Sequence, residues 1–175
     1  EFGSALVLLD LAIYWQHRLL HAWPLLWRLH RVHHTDRTLD ATSALRFHPL
    51  EILLSLGFKI ALAVLLGITP LAVMVFEVLL SSFALATHAN LALPPGLDRA
   101  VRVLLVTPNM HRIHHSTHVD EQHRNFGFNL SLWDRLFGSY AIRARDTPQA
   151  FGVEGVGVDA ATRFASLLRE PFVRR

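Results

Sequence analysis

Twelve histidines are spread unevenly along a chain of 175 residues. Eight of them form three clusters: His17 and His21 as H-x-x-x-H, His30, His33 and His34 as H-x-x-H-H, and His111, His114 and His115 repeating the second pattern. Residues three and four apart share one face of an α-helix, so each cluster aims two or three imidazoles the same way. Neutral imidazole is a ligand for zinc, copper, iron and nickel, and one zinc takes about four ligands. Eight nitrogens exceed that requirement, and two ions with four or five nitrogens each match the supply better. The Glu-x-x-His pairs of carboxylate-bridged di-iron bundles are absent, as is H-E-x-x-H. No cysteine occurs, which excludes thiolate-ligated haem, iron–sulfur clusters and cysteine nucleophiles. The residue types point to a histidine-dominated dinuclear metal site.

Other groups could support those ligands. Thr107 and Pro108 predict a helix start with Thr107 as cap, which places His111 one turn inside. His48-Pro49-x-Glu51 predicts another, with His48 capping or supporting rather than ligating. His118 is either one turn beyond His115 on a continuing helix or on a loop, and His123 is expected on a solvated loop. Asp10, Asp36, Asp40, Asp120 and Asp134 are candidates to accept the second N–H of a ligand ring. Asp134 has an alternative partner in Arg135 or a helix N-terminus. Trp15, Trp23, Trp27 and Trp133 read as interfacial belt or core.

Positioning these groups falls to strongly apolar elements. Hydrophobic residues make up 51% of the chain and charged ones 18%, with a mean hydropathy of +0.30, a composition expected of a membrane protein. Ala5 to Trp15 is helical in pattern and runs into Gln16-His17-Arg18. Two long apolar runs, 50–68 and 71–87, are separated by Thr69-Pro70, and each is long enough to cross most of a hydrocarbon core. As an antiparallel hairpin they bring Lys59 and Glu77 to similar depth, where unpaired charges are costly, so the two are expected to pair. The hairpin returns both histidine blocks to one side. Arginines flank those blocks, and the positive-inside rule makes that side cytoplasmic. Sixteen Arg and one Lys give a net charge of +3, which in so apolar a chain indicates a membrane surface rather than nucleic acid. Residues 1–4 read as cloning-derived, 5–145 as one domain, and 146–175 as a tail with a single short helix over 159–169.

Several longer motifs surround the histidines: Tyr14-Trp15-x-His17-Arg18, Leu26-Trp27-x-x-His30, Arg46-Phe47-His48-Pro49-Leu50-Glu51, His88-Ala89-Asn90, Thr107-Pro108-x-Met110-His111-Arg112, Asn125-Phe126-Gly127 and Trp133-Asp134-Arg135-Leu136-Phe137-Gly138. In these motifs and their order the chain resembles the fatty acid hydroxylase/sterol desaturase superfamily of integral-membrane di-iron enzymes, over roughly residues 10–140. The resemblance implies an all-α integral-membrane fold, with a transmembrane helical hairpin and a cytoplasmic-side histidine-rich helical cap. It implies two non-haem iron ions, O2 as co-substrate, and hydroxylation or desaturation of a lipid C–H bond. It adds His88 to the ligand set, with a helix-capping role as the alternative, and it makes His48, His118, Asn90 and Asp134 candidates for an extra ligand or a supporting contact. Family members usually carry further membrane helices before the first box, and this chain begins just ahead of it.

No dinucleotide fingerprint is present, because Gly152-Val153-Glu154-Gly155-Val156-Gly157 has the wrong spacing. Electrons are therefore expected from an external cytochrome, ferredoxin or reductase. A non-enzymatic metal-binding or transport protein is the rival reading, disfavoured because the apolar runs carry no ligand before His88. A bis-histidine haem protein would use one histidine from each of two facing helices rather than clustered triplets.

Overall fold

A computed structural model of the chain describes residues 1–142 and 150–173. Among these residues, ten α-helices run in the order α1 (Phe2–Ala22), α2 (Pro24–His34), α3 (Pro49–Leu66), α4 (Pro70–His88), α5 (Pro95–Val101), α6 (Pro108–His114), α7 (Val119–Gln122), α8 (Leu132–Leu136), α9 (Val158–Thr162) and α10 (Phe164–Arg169). Among the described residues there is no strand, only two isolated bridges. The all-α expectation holds.

Proline sets most of the boundaries. It lacks the N–H that a first turn leaves unbonded anyway, so α2 to α6 all begin on it. The same ring disfavours helix at the preceding residue, so α1 stops at Ala22 and Trp23 is extended. Side chains complete the starts: His48 accepts from Leu50 N–H, Thr69 from Ala72 N–H and Thr107 from Met110 N–H. Gly67, at φ 64°, ends α3 in the left-handed region that glycine enters without a Cβ clash.

Helices α3 and α4, of 18 and 19 residues, form the hairpin. Only 6% and 22% of their apolar windows are buried, so they are not core helices of a soluble protein. At ~1.5 Å per residue each is about 27–29 Å long, close to a hydrocarbon core of about 30 Å. The hairpin is a membrane element. His48 at the start of α3 and His88 at the end of α4 lie at its open end, and Gly67 lies at the turn. Lys59 Nζ donates to Glu77 Oε1 at 2.5 Å, the expected pair.

Helix α1 joins the hairpin to the rest. One face buries Leu9 and Ile13 against Phe76, with Leu62 and Leu80 beside them. The other packs Tyr14 against Phe126 and Trp133. Phe2, Gly3 and Ser4, expected outside the fold, are the first turn of α1.

The tail differs from expectation. Its single helix is two, α9 and α10, broken at Arg163 in extended conformation. It is strapped to the histidine region: Arg31 pairs with Glu170 at 3.2 Å, Arg37 donates to Val156 O, and Arg46 donates to Ala161 O. The boundary expected at residue 145 lies outside the described residues.

Reversing one member of the hairpin pair leaves two like charges at bilayer depth. Lys59→Glu or Glu77→Lys alone is expected to lower stability by about 3 kcal/mol. The double swap should recover most of that in detergent thermal melts, and no rescue would refute the pairing.

Candidate metal centre

The helical spacing of the clusters has a structural consequence. In α2, His30 and His34 turn one way and His33 the other; in α6, His111 and His115 turn one way and His114 the other. Two groups result: His17, His21, His30, His34 and His114, and His33, His88, His111 and His115, each with its candidate ligand nitrogens within 4.8 Å of one another. Each H-x-x-H-H therefore gives its i,i+4 pair to one group and its remaining member to the other. All nine rings are buried, none more than 5% exposed. The groups adjoin, with His34 and His115 stacked at 4.4 Å.

Hydrogen bonds set the tautomers. His17 Nδ1 lies 2.8 Å from Phe126 O, His88 Nδ1 2.7 Å from Ala84 O, and His114 Nδ1 2.9 Å from Arg124 O. A carbonyl only accepts, so each of these Nδ1 atoms carries the proton and each Nε2 presents a lone pair. His30 Nδ1 bonds Glu51 Oε1 at 2.6 Å, with the same result. Yet His17 Nε2 faces His30 Nε2 at 3.1 Å, lone pair against lone pair. His88 Nε2 stands 3.0–3.1 Å from the Nε2 atoms of His33, His111 and His115. One lone pair cannot serve three donors. Among the described residues, His21 and His34 have no hydrogen-bond partner at either ring nitrogen. A cation among these nitrogens resolves all three conflicts, and adjacent nitrogens bound at about 2.1 Å to one ion stand about 3 Å apart. The residues fit a pair of metal ions.

Electrostatics agree. Burial first, and neighbouring rings second, hold His17, His21, His33, His34, His111 and His115 well below the usual histidine range; burial lowers His114 to about 3. A neutral imidazole keeps the lone pair that a metal ion requires.

Glu51 is the carboxylate that holds a ring of the cluster, a role that its first-turn position alone does not announce. The aspartates expected in that role act elsewhere. Asp10 accepts from Trp133 Nε1 at 2.8 Å and Leu130 N–H, Asp36 from Ser43 and Thr38, and Asp40 caps a 3-10 turn at Ala41–Leu45. Asp120 is exposed. Asp134 accepts from Phe126 N–H at 2.7 Å, Gly127 N–H at 2.9 Å and Ser139 Oγ, so it positions His17 through the Phe126 peptide rather than by touching the ring. Asn90 accepts from Arg112, outside both groups. His48 caps α3 and its Nε2 donates to Leu168 O; α6 ends before His118, which precedes α7. His123 is exposed, although its ring lies 5.6 Å from His21.

The remaining motif residues build the surroundings. Phe47 stacks on His33 at 4.4 Å and 7°, and Arg46 pairs with Asp36. Asn125, at φ 54°, bonds Met110 O and the Ala141 backbone, while a Cβ on Gly127 would meet Leu130 O at 2.7 Å and Asp134 Oδ2 at 2.8 Å. Only glycine fits there. A cavity of ≈ 370 Å³ reaches His17 and His30, walled by Ile13, Leu20, Leu80 and Phe128, with Lys59 and Glu77 also on its lining.

Fold and site together define a membrane protein with a two-part histidine cluster suited to metal. A family model described as fatty acid hydroxylase matches residues 2–139, and the chain belongs to that family. It is 35% identical over 176 residues to ornithine lipid hydroxylase OlsE of Rhizobium tropici, covering 97% of this chain and 50% of that protein. Alkylglycerol monooxygenase of Danio rerio is 33% identical over 132 residues, 75% of this chain and 28% of its own. Lathosterol oxidase of Homo sapiens is 31% identical over 138 residues, 78% and 44% respectively. The chain thus spans half the first relative and under a third of the second. No solved structure matches it significantly.

Gly127→Ala should cost about 1–3 kcal/mol by overpacking and lower metal content, read by melting and metal analysis. In the metal-free protein the depressed histidines stay neutral while their unfolded counterparts protonate below 6.5, so the unfolded chain binds more protons. Its stability should be level above about pH 7 and fall steadily as pH drops toward 3; stability that rose on acidification would contradict the buried, neutral assignment.

Proposed function

We propose that the chain hydroxylates a C–H bond of a membrane lipid, or desaturates at that bond, using two non-haem iron ions. His17, His21, His30, His34 and His114 hold one ion; His33, His88, His111 and His115 hold the other. The observation that carries this reading is the division of nine buried imidazoles into two adjoining groups beside an apolar cavity lined by the membrane hairpin. Relatives named for ornithine lipid, alkylglycerol and lathosterol support a lipid substrate.

Iron in the two groups would supply the activation of O2 that an unreactive C–H bond requires. The protein's own residues do the rest. Glu51 and the carbonyls of Phe126, Ala84 and Arg124 hold the Nδ1 protons, leaving Nε2 free to ligate. Burial keeps bulk water from the site. Ile13, Leu20, Leu80 and Phe128 seat an apolar chain alongside His17 and His30. Hydroxylation consumes O2, two electrons and two protons and yields an alcohol and water, so an external cytochrome, ferredoxin or reductase donates the electrons. The arginines flanking the histidine blocks orient that face to the cytoplasm.

Purified in detergent, the protein should carry about two irons per chain, show no Soret band, and change the cellular lipid profile on expression. His34→Ala or His115→Ala should abolish product and lose iron; full iron content in either variant would refute the ligand assignment. Glu51→Gln keeps an acceptor for His30 without the charge, and should lower iron affinity or turnover by about 10–100-fold.

A further inference from the structure

Away from the metal groups, a second cavity of ≈ 790 Å³ is lined by Asp98, Arg99, Arg102, Arg112, Arg135 and Tyr140, drawn from α5, α6, α8 and the segments after α5 and α8. Among the described residues, four guanidiniums share it with one carboxylate. Asp98 engages Arg102 in an i,i+4 ion pair, and the Arg135 guanidinium lies 3.9 Å over the Tyr140 ring while donating to Arg102 O. These contacts preorganise the cations, and Asp98 offsets the charge of Arg102. Arg102 is only 8% exposed, yet its Nε has no acceptor among the described residues. Like charges gathered beside a low-dielectric wall repel, and an anion between them relieves the repulsion. A planar guanidinium fork suits the paired oxygens of a phosphate group.

Its location selects the source of that phosphate. Arg112 donates to Asn90 Oδ1 at 2.8 Å, two residues beyond the end of α4, so the cavity lies at the level where the hairpin leaves the bilayer. Exposed Ile142 is on its lining, and Leu97, Val103 and Leu104, close in sequence to Asp98 and Arg102, are each more than half exposed. Bare apolar surface beside arginines is the pattern of a segment resting among lipid headgroups. We propose that this arginine cavity binds the phosphate of a bilayer phospholipid and anchors the α5–α6 segment at headgroup depth. The site is independent of the reaction at the metals, although Arg112 stands in α6 between His111 and His114.

The test uses metal-loaded full-length protein in a neutral detergent. Short-chain phosphatidylglycerol should raise its melting temperature by about 5 °C at saturation. Dioctanoylglycerol, which has the chains without the phosphate, should not, nor should inorganic phosphate at the same concentration. The double variant Arg99→Gln/Arg135→Gln should lose most of the shift while keeping its iron. If that variant loses iron, Arg99→Gln alone decides, since Arg99 is exposed and, among the described residues, bonds Pro95 O of its own helix. An equal shift with dioctanoylglycerol, an equal shift with inorganic phosphate, or a shift that survives the substitutions would overturn the proposal. Stabilisation by polyglutamate but not by the phospholipid would assign the face to an acidic protein and overturn it as well.

Discussion

Nine imidazoles in a volume closed to water, several with lone pairs aimed at one another, form the constraint on which this structure depends. Neutral rings packed this way repel, and burial suppresses the protonation that would otherwise supply donors. Divalent cations bound there would convert the conflict into bonding, and their binding energy would also be folding energy for α1, α2, α4 and α6. The surrounding protein serves that convergence. Carbonyls at Phe126, Ala84 and Arg124 and the Glu51 carboxylate each hold one ring nitrogen, which directs the other inward.

The membrane hairpin is the foundation of this arrangement. It delivers His48 and His88 to the same level, the first to start α3 beside Glu51 and the second to complete a four-histidine group. Helix α1 bridges the hydrophobic and polar worlds by burying Leu9 and Ile13 on the hairpin and Tyr14 on the loop region, while its last turns present His17 and His21. The loop from Asn125 to Ser131 then closes over the rings, held from beneath by two carboxylates, Asp10 and Asp134. Asp134 thus works at one remove, fixing through the Gly127 N–H the peptide whose carbonyl touches His17, while Asp10 holds the loop at Asn129 and Leu130.

Much of this was legible in the sequence because it is local. The i,i+3,i+4 spacing announces shared helix faces, the Thr-Pro and His-Pro pairs announce helix starts, and the two apolar runs with Lys59 and Glu77 announce a charge-matched hairpin. What was not legible depends on tertiary approach. Glu51 looks like any first-turn acid until α3 is laid against α2; its nearness to a histidine block was the available signal. The roles of Phe126 O, Ala84 O and Arg124 O are carried by backbone, which every residue type possesses. The restriction on Gly127 comes from Leu130 and Asp134, and the strapping of the tail by Arg31, Arg37 and Arg46 spans more than a hundred positions.

The shared use of α2 and α6 by both histidine groups has an evolutionary corollary. Because each helix feeds both groups, the gap between the groups is inherited from helical pitch. Inserting or deleting one residue inside either turn would swing the following histidines by about 100° and dismantle both sites at once. Loop lengths and cavity walls can change without disturbing this geometry, but the phase of these two short turns is locked.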